Sequence, residues 1–335
     1  MTANRFARYA WCVLAYNLFV ILWGAFVRAS GSGAGCGSRW PLCNGVPVPR
    51  APQLETIIEF AHRMSSGLSL VLVVVLVIWG FRVFAKKHPV RKAVVAVFIF
   101  EMVEVLVGAG LVLLGLVARD ESVARAIVMP IHLANTFLLL GSTALAAWWA
   151  SGHAPIHLRG QGLLGIGWVI GLAGVMFIGM SGAVTALGDT LFPAGSLIEG
   201  LRQDISPTVH VLVRLRVWHP VIAVAIALYV VAYLAPALAA RRPGGATKKL
   251  SRIVIGLVAI QLAAGFLNVI LLAPIWMQIV HLALASAVWI ALVLLGAAAL
   301  AADAPKPPGR QQSRDAGFIR GPRLSTFWSL EVVVE

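Results

Sequence analysis

The sequence has little charge, and little of that charge is negative. Charged residues make up 12% of the 335 residues, with 13 acidic against 27 basic side chains, whereas a soluble domain carries about 25%. The formal net charge of +14 would suit a nucleic-acid-binding protein. That function needs a basic face on a soluble domain, but the basic residues here lie mostly in short breaks between apolar runs. The composition therefore excludes an ordinary soluble protein and indicates no nucleic-acid partner.

Apolar runs occupy most of the chain, which is 60% hydrophobic. A helix needs about 20 apolar residues to cross a bilayer, and eight runs reach that length. We predict spans at about 9–29, 57–84, 93–118, 124–150, 162–187, 209–239, 250–273 and 275–302. No small-residue cleavage site follows a short apolar core at the start, so span 1 is predicted to be retained. The predicted fold class is an all-α, polytopic protein in contact with membrane lipid.

Lysine is missing from one set of connections between these spans. Residues 30–55, 119–125, 189–208 and 273–274 contain arginine but no lysine, whereas the other set contains nearly all of the lysines. Cytoplasmic connections are enriched in lysine and arginine. We therefore predict a multi-pass protein of the cell (plasma) membrane with both termini in the cytoplasm.

The two halves of the chain resemble each other. Four matches recur in the same order: Gly24 with Gly182, His62 with His219, Glu104 with Gln261, and His132 with His281. Each half has an even number of spans, so the halves have parallel topology. We predict two four-helix bundles, 1–156 and 157–303. The tail, 304–335, is expected to be disordered.

Four of the eight histidines lie inside apolar helices, a few residues from the predicted outer end. They are His62, His132, His219 and His281. Ionisable residues roughly 8–15 Å below the surface are costly and usually face a partner or a cavity. A lone one would more often be a hydrogen-bonded core residue, but here two lie in each bundle, on its second and fourth spans. Since neutral imidazole is a standard axial ligand of haem iron, we predict that each pair holds a haem.

One acidic residue distinguishes the two pairs. Glu59 precedes His62 by three residues and shares its helix face, whereas Arg216 stands at the matching place before His219. This asymmetry suggests chemistry in the N-terminal bundle and a permanent cofactor in the C-terminal bundle. Glu59 could instead orient a histidine or pair with an arginine. A di-iron carboxylate site is a further alternative, but Met129 stands where a second Glu-x-x-His would need its acid.

Two cysteines and three arginines lie near the predicted outer face. A disulfide between Cys36 and Cys43 can persist there, although unpaired thiols or part of a zinc site remain alternatives. Arg63, Arg214 and Arg216 lie at the outer ends of histidine-bearing spans. They could bind the propionates of a haem, or simply reach the lipid headgroups.

Two segments resemble one known family, the haem A synthases. They are the loop Gly31–Gly45, which contains both cysteines, and the segment Glu55–Arg63. The resemblance implies an eight-span enzyme that oxidises the C8 methyl group of haem O to a formyl group, making haem A for terminal oxidases. A haem O synthase would supply the substrate.

The resemblance also implies roles for particular residues. His62 and His132 would bind the substrate haem, and His219 and His281 would bind a haem b cofactor. Glu59 would be catalytic, and the cysteine pair of the first outer loop would form a disulfide.

This chain departs from the family pattern in three places. Proline follows His219 where arginine is usual, Glu104 replaces a common glutamine, and residues 189–208 lack a second cysteine pair. The alternative function is a di-haem cytochrome b that only exchanges electrons with quinone. A transporter is disfavoured because the early spans lack paired Gly/Pro interruptions. The sequence indicates neither the electron donor nor whether the protein forms a homo-oligomer.

Overall fold

Eight membrane-crossing helices make up most of the structure, a computed structural model that describes residues 2–206, 208 and 210–301. Spans 1 to 8 are Ala3–Ala29, Leu54–Val83, Pro89–Leu113, Val123–Ala150, Gly162–Leu191, Val211–Arg241, Gly245–Ile270 and Ile275–Ala299. Each is long and apolar enough to cross a bilayer, so the prediction of an all-α, eight-span membrane protein is confirmed. The predicted tail, 304–335, lies outside the described residues.

Several spans begin earlier or end earlier than their apolar runs suggest. Span 1 begins at Ala3 and span 7 at Gly245, because a helix that closes its own backbone hydrogen bonds continues readily past its apolar core. Span 3 ends at Leu113, well before the predicted boundary. Gly115 follows with φ of +71°, a left-handed conformation typical of a helix stop.

The spans form two rings of four that share one side. Spans 1, 2, 3 and 4 pack in a closed ring, and spans 5, 6, 7 and 8 form a second ring in the same order. Spans 1 and 4 pack against spans 5 and 8. The two halves therefore have the parallel, repeated arrangement that the sequence predicts.

We call the face with connections 1–2, 3–4, 5–6 and 7–8 the loop face. Two short helices lie in these connections, a 3₁₀ turn at Ser32–Ala34 and the α-helix Leu197–Ile205. The second helix is amphipathic, with Leu197, Ile198 and Leu201 exposed. Such an apolar strip suits a position in the interface between membrane and water.

Span 6 is the irregular span. Its α-helical turns are interrupted after Leu215, and a π-helical segment occupies Tyr229–Leu234 before the last helix, Ala235–Arg241. The break precedes Pro220, and proline lacks the backbone donor that a regular helical turn needs. The π segment precedes Pro236, whose ring would clash with a carbonyl one turn earlier in a regular α-helix.

Two tryptophans connect spans 4, 5 and 8. The indole of Trp289 in span 8 donates to the carbonyl of Phe137 in span 4 at 2.5 Å and stacks on its ring. Trp168 in span 5 donates to the carbonyl of Leu292 in span 8 at 3.2 Å. Gly141 leaves room for Trp289, since a Cβ there would lie 3.1 Å from the indole nitrogen. These contacts hold spans 4, 5 and 8 as a common core.

Candidate functional site

The four predicted histidines all lie near the loop face, on spans 2, 4, 6 and 8. His62 packs against Gly24 of span 1, where a Cβ would come within 2.9 Å of its ring. Its Nδ1 atom is buried and has no hydrogen-bond partner among the described residues. His132 and Glu104 are close enough to His62 to interact with it electrostatically. The N-terminal bundle thus brings its two histidines into one site, together with an acid.

His132 is paired with Glu104 of span 3. Its Nδ1 atom lies 2.7 Å from Oε2 of the carboxylate. Thr136, one turn further along span 4, donates a hydrogen bond to Oε1 of the same carboxylate. No role was predicted for Glu104, although its match with Gln261 in the repeat marked the position.

The second pair lies in the C-terminal bundle. His219 and His281 have ring centroids 6.4 Å apart and ring planes at 80°. Ser181 of span 5 lies 3.0 Å from Nδ1 of His219, and the Gln261 amide donates to Nε2 of His281 at 3.1 Å. Nδ1 of His281 is buried without a partner among the described residues.

Glycine lets three of the four imidazoles approach a neighbouring helix. A Cβ at Gly182 would lie 3.0 Å from Cε1 of His219, and a Cβ at Gly265 would lie 3.0 Å from Cε1 of His281. Real Cβ atoms rarely come so close to another heavy atom, because the contact is inside the van der Waals distance. Gly24 and Gly182 are repeat equivalents, so the same close approach is built into both halves.

The spacing of the second pair fits two imidazoles on opposite sides of one iron. A metal–imidazole nitrogen bond is about 2 Å long, and the ring centre lies about 1 Å beyond the nitrogen, so opposed ligands have centroids about 6 Å apart. The observed separation is 6.4 Å. Buried polar atoms normally have partners, and the unpartnered Nδ1 atoms of His62 and His281 are compatible with a ligand in each bundle. The residues present therefore fit a haem in each half.

The described residues contain no cluster of three or more His, Cys, Asp and Glu side chains with the geometry of a metal site. The di-iron alternative requires such a cluster of carboxylates and histidines. It therefore has no support in this part of the chain.

Glu59 lies at the base of the loop that follows span 1. Its side chain is 4% exposed. Oε2 accepts a hydrogen bond from the backbone N–H of Cys36 at 2.8 Å. Oε1 accepts from Nε and Nη2 of Arg63 at 3.0 and 2.5 Å. The pairing with an arginine, left open by the sequence, is thus present in the structure.

Arg63 extends this anchor across the loop. Its Nη1 atom donates to the carbonyls of Arg39 and Leu42, both at 2.8 Å. Cys36 and Cys43 form a disulfide inside the same loop, and both are buried. The predicted pairing is confirmed, and the alternatives of free thiols or a zinc site are wrong. The disulfide therefore closes the loop Gly31–Gly45 on itself, and the buried Glu59–Arg63 pair of span 2 holds the loop through hydrogen bonds to its backbone.

The other two predicted arginines differ in their surroundings. Arg216 is buried and pairs with Asp189 at 3.0 Å and with Asp204 at 2.8 Å, which ties span 6 to span 5 and to the helix Leu197–Ile205. Arg214 is exposed on the loop face. Sequence reasoning overlooked Arg28, which lies at the end of span 1.

Arg28 connects the two halves at the loop face. Its Nη1 atom donates to the carbonyl of Ala186 and to Oγ1 of Thr190, both at 2.8 Å. Its Nη2 atom donates to Oε1 of Gln278 in span 8 at 2.8 Å. An arginine at the end of an apolar span was the available signal, because a guanidinium at this depth needs acceptors from neighbouring helices.

Two repeated halves, each with histidines on its second and fourth spans, are matched over nearly their whole length by one family. Residues 7–293 match the COX15-CtaA family, described as cytochrome oxidase assembly protein. The chain belongs to this family. The resemblance carried by the cysteine loop and by the segment Glu55–Arg63 is thereby confirmed at the level of the family.

The similar proteins carry two different names. A Thermus thermophilus protein named "Protoheme IX farnesyltransferase" is 52% identical over 297 residues, which are 89% of this chain and 49% of the relative. A "Heme A synthase" of Geobacillus kaustophilus is 43% identical over 98 residues, 29% of this chain and 31% of the relative. Another, from Bacillus licheniformis, is 38% identical over 128 residues, 38% of this chain and 39% of the relative. The chain thus spans about half the length of the Thermus relative.

Proposed function

We propose that this protein is a haem A synthase that oxidises the C8 methyl group of haem O to a formyl group. The observation that carries the proposal is the pair of histidine sites in repeated halves, of which the N-terminal site contains an acid. Membership of the COX15-CtaA family and the similarity to proteins named heme A synthase support it. Enzymes of this class are membrane oxidoreductases, which suits the eight spans.

The two halves divide the work. In the N-terminal half, 1–156, His62 and His132 bind the iron of the substrate haem. In the C-terminal half, 157–303, His219 and His281 bind a resident haem b. When bound, haem b supplies one-electron redox chemistry next to the substrate site. The histidines orient the substrate haem and haem b. The close packing of spans 1, 4, 5 and 8 sets the distance between the two sites.

Glu59 is the catalytic proton acceptor in this proposal. Converting a methyl group to an aldehyde takes two oxidation steps and releases protons as well as electrons. Glu59 and His62 share a helix face, so the carboxylate lies beside the substrate-haem ligand and can take up a proton. Its bonds to Cys36 and Arg63 also place it where the disulfide loop meets span 2. Changes in that ion pair would therefore couple proton movement to the loop.

Arginines of the loop face are proposed to bind the haem propionates. Guanidinium groups pair well with carboxylates. Arg214 is exposed on span 6, whereas Arg63 and Arg216 already pair with Glu59 and with Asp189. Arg214 is thus the strongest of the three candidates, and the other two would have to share their guanidinium groups.

A haem O synthase is the proposed source of the substrate. The Thermus relative is about twice as long as the matched region and is named a protoheme IX farnesyltransferase. Because parts of this chain are similar to proteins named heme A synthase, we infer that farnesyl transfer belongs to the half of the relative that lies outside the match. A chain that joins both activities would pass haem O directly between them.

The plasma membrane is the proposed location, with both termini in the cytoplasm. The lysine-free connections then lie on the outer side, where the Cys36–Cys43 disulfide would persist. The loop face is accordingly the outer face.

A di-haem cytochrome b that only transfers electrons is the alternative function. It would use the four histidines equally well, but it would need neither Glu59 nor an acid beside His132. One experiment separates the enzyme from the cytochrome. The chain is expressed in a bacterium that makes haem O but has no haem A, and extracted haems are separated by chromatography and identified by mass.

The proposed enzyme yields haem A in these cells, and a His132→Ala variant does not. A wild-type protein that is inserted in the membrane, carries haem and leaves haem O unchanged would contradict the proposal and favour the cytochrome.

A further inference from the structure

The two histidine sites differ at one repeated contact. In the N-terminal half, Nδ1 of His132 lies 2.7 Å from a carboxylate oxygen of Glu104. In the C-terminal half, the equivalent partner of His281 is the neutral amide of Gln261, at 3.1 Å. The repeat therefore keeps a polar partner for the fourth-span histidine, but this partner changes from a carboxylate at Nδ1 to a neutral amide at Nε2.

The Glu104 side chain has a second hydrogen-bond partner on span 4. Thr136 lies one turn after His132, and its hydroxyl group donates to Oε1 of Glu104. Ala285 stands at the same place after His281 and has no hydroxyl group. Oε1 of the carboxylate is thus held by a threonine, and Oε2 lies at ion-pair distance from the histidine.

Few other charges compete for Glu104. In the described part of the chain its ion pair is with His132, and the carboxylate is only 14% exposed. Glu101, one turn earlier on span 3, is buried beside Ser69 and is another acid. No screening cation is supplied by these neighbours, so the negative charge acts mainly on the imidazole that it contacts.

We propose that Glu104 is a positioning residue that turns His132 with Nε2 toward the substrate iron and makes it a stronger electron donor than His281. A carboxylate that accepts a hydrogen bond from the far nitrogen of a ligating imidazole fixes its orientation and raises its basicity. A more basic axial ligand stabilises ferric over ferrous iron. The substrate site therefore favours the oxidised state relative to the haem b site.

This inference rests on the proposed function, since it takes His132 as a ligand of the substrate iron. Loss of an outer partner of a metal-bound histidine typically costs 10–100-fold in affinity. We expect about a tenfold weaker preference for ferric iron at the substrate site, which for one electron is a shift of about 59 mV to more positive potential.

The test is a spectroscopic redox titration of the purified, haem-loaded protein. Glu104→Gln should move one midpoint potential to a more positive value and leave the other in place. Gln261→Glu should move the other midpoint to a more negative value. Glu101→Gln is the matched control, because it makes the same substitution one turn away and should shift neither midpoint by more than a third as much. Thr136→Val keeps the charge but frees the carboxylate, and should give a smaller positive shift.

The outcomes separate this inference from the function it rests on. If haem O is converted to haem A, but Glu104→Gln and Thr136→Val leave both midpoints unchanged, the role of Glu104 is wrong and the enzyme assignment stands. Equal shifts in Glu104→Gln and Glu101→Gln would also overturn it, because the effect would then be charge alone. A purified wild-type protein without haem at either pair would overturn both proposals together.

Discussion

Replacing Glu59 with glutamine should loosen the disulfide loop and stop the oxidation of haem O. The carboxylate accepts three hydrogen bonds, one from the Cys36 N–H and two from Arg63. The glutamine amide has one oxygen, which accepts hydrogen bonds, and one NH2 group, which only donates them. At least one of these buried donors would therefore face the NH2 group. Haem should still bind, because glutamine nearly preserves the size of the side chain.

The expected cost follows from the contacts of this ion pair. A buried donor without an acceptor costs about 1–3 kcal/mol, and breaking a buried ion pair costs about 3–5 kcal/mol. The lower range applies because Arg63 keeps its bonds to the carbonyls of Arg39 and Leu42. We expect about 2 kcal/mol, which is about a 30-fold change in the opening equilibrium of the loop.

The rate of disulfide reduction measures that opening. Cys36 and Cys43 are 0% and 1% exposed, so a phosphine reductant in the medium can reach the disulfide only when the loop opens. Glu59→Gln should be reduced about 30 times faster than the wild-type protein, by the same conversion of free energy. An unchanged reduction rate would refute the role of the ion pair as an anchor.

Arg63→Gln is the control that separates anchoring from catalysis. It breaks the same ion pair but leaves the Glu59 carboxylate in place. Reduction should accelerate by at least the same factor, because the bonds of Arg63 to the carbonyls of Arg39 and Leu42 are lost as well, while part of the haem A production is retained. Equal loss of haem A production in both variants would show that Glu59 acts only by holding the loop.

Three further predictions follow from buried contacts. Gly182→Ala should lower the content of haem b, because a methyl group would crowd the ring of His219. Gly256→Ala, with no heavy atom within 4 Å of its Cβ, should leave the haem b content unchanged. Equal haem b content in the two variants would contradict this prediction. Arg28→Met removes three hydrogen bonds and should destabilise the protein by about 3 kcal/mol, seen as a lower melting temperature, whereas an unchanged melting temperature would show that water replaces the guanidinium. Non-reducing mass spectrometry should find Cys36 joined to Cys43 in the resting protein, and free thiols at both positions would contradict the disulfide.

The number and the pairing of the spans could be predicted from the sequence, because both depend on local properties. Apolar length alone predicts eight crossings, and the repeat of Gly24, His62 and His132 in the second half predicts parallel bundles. Helix ends were less accurate. Span 1 begins at Ala3 because backbone hydrogen bonding continues through polar residues, which a count of apolar residues does not detect.

Side-chain partners between spans were harder to predict. The sequence placed Glu59 beside His62, but whether its oxygens were free depended on the loop folding back so that the Cys36 N–H reaches it. The contact between Glu104 and His132 joins spans 3 and 4 and leaves no periodic signal. Arg28 likewise finds its acceptors on two distant spans, which only the packed structure brings together.

The most direct test of the central claim is the haem content of the purified protein with each of the four helix histidines changed to alanine in turn. The account predicts that His219→Ala and His281→Ala lose haem b, and that His62→Ala and His132→Ala keep haem b but no longer bind or convert haem O. Full retention of the haem b spectrum in both His219→Ala and His281→Ala would contradict the assignment of the resident cofactor to the C-terminal half.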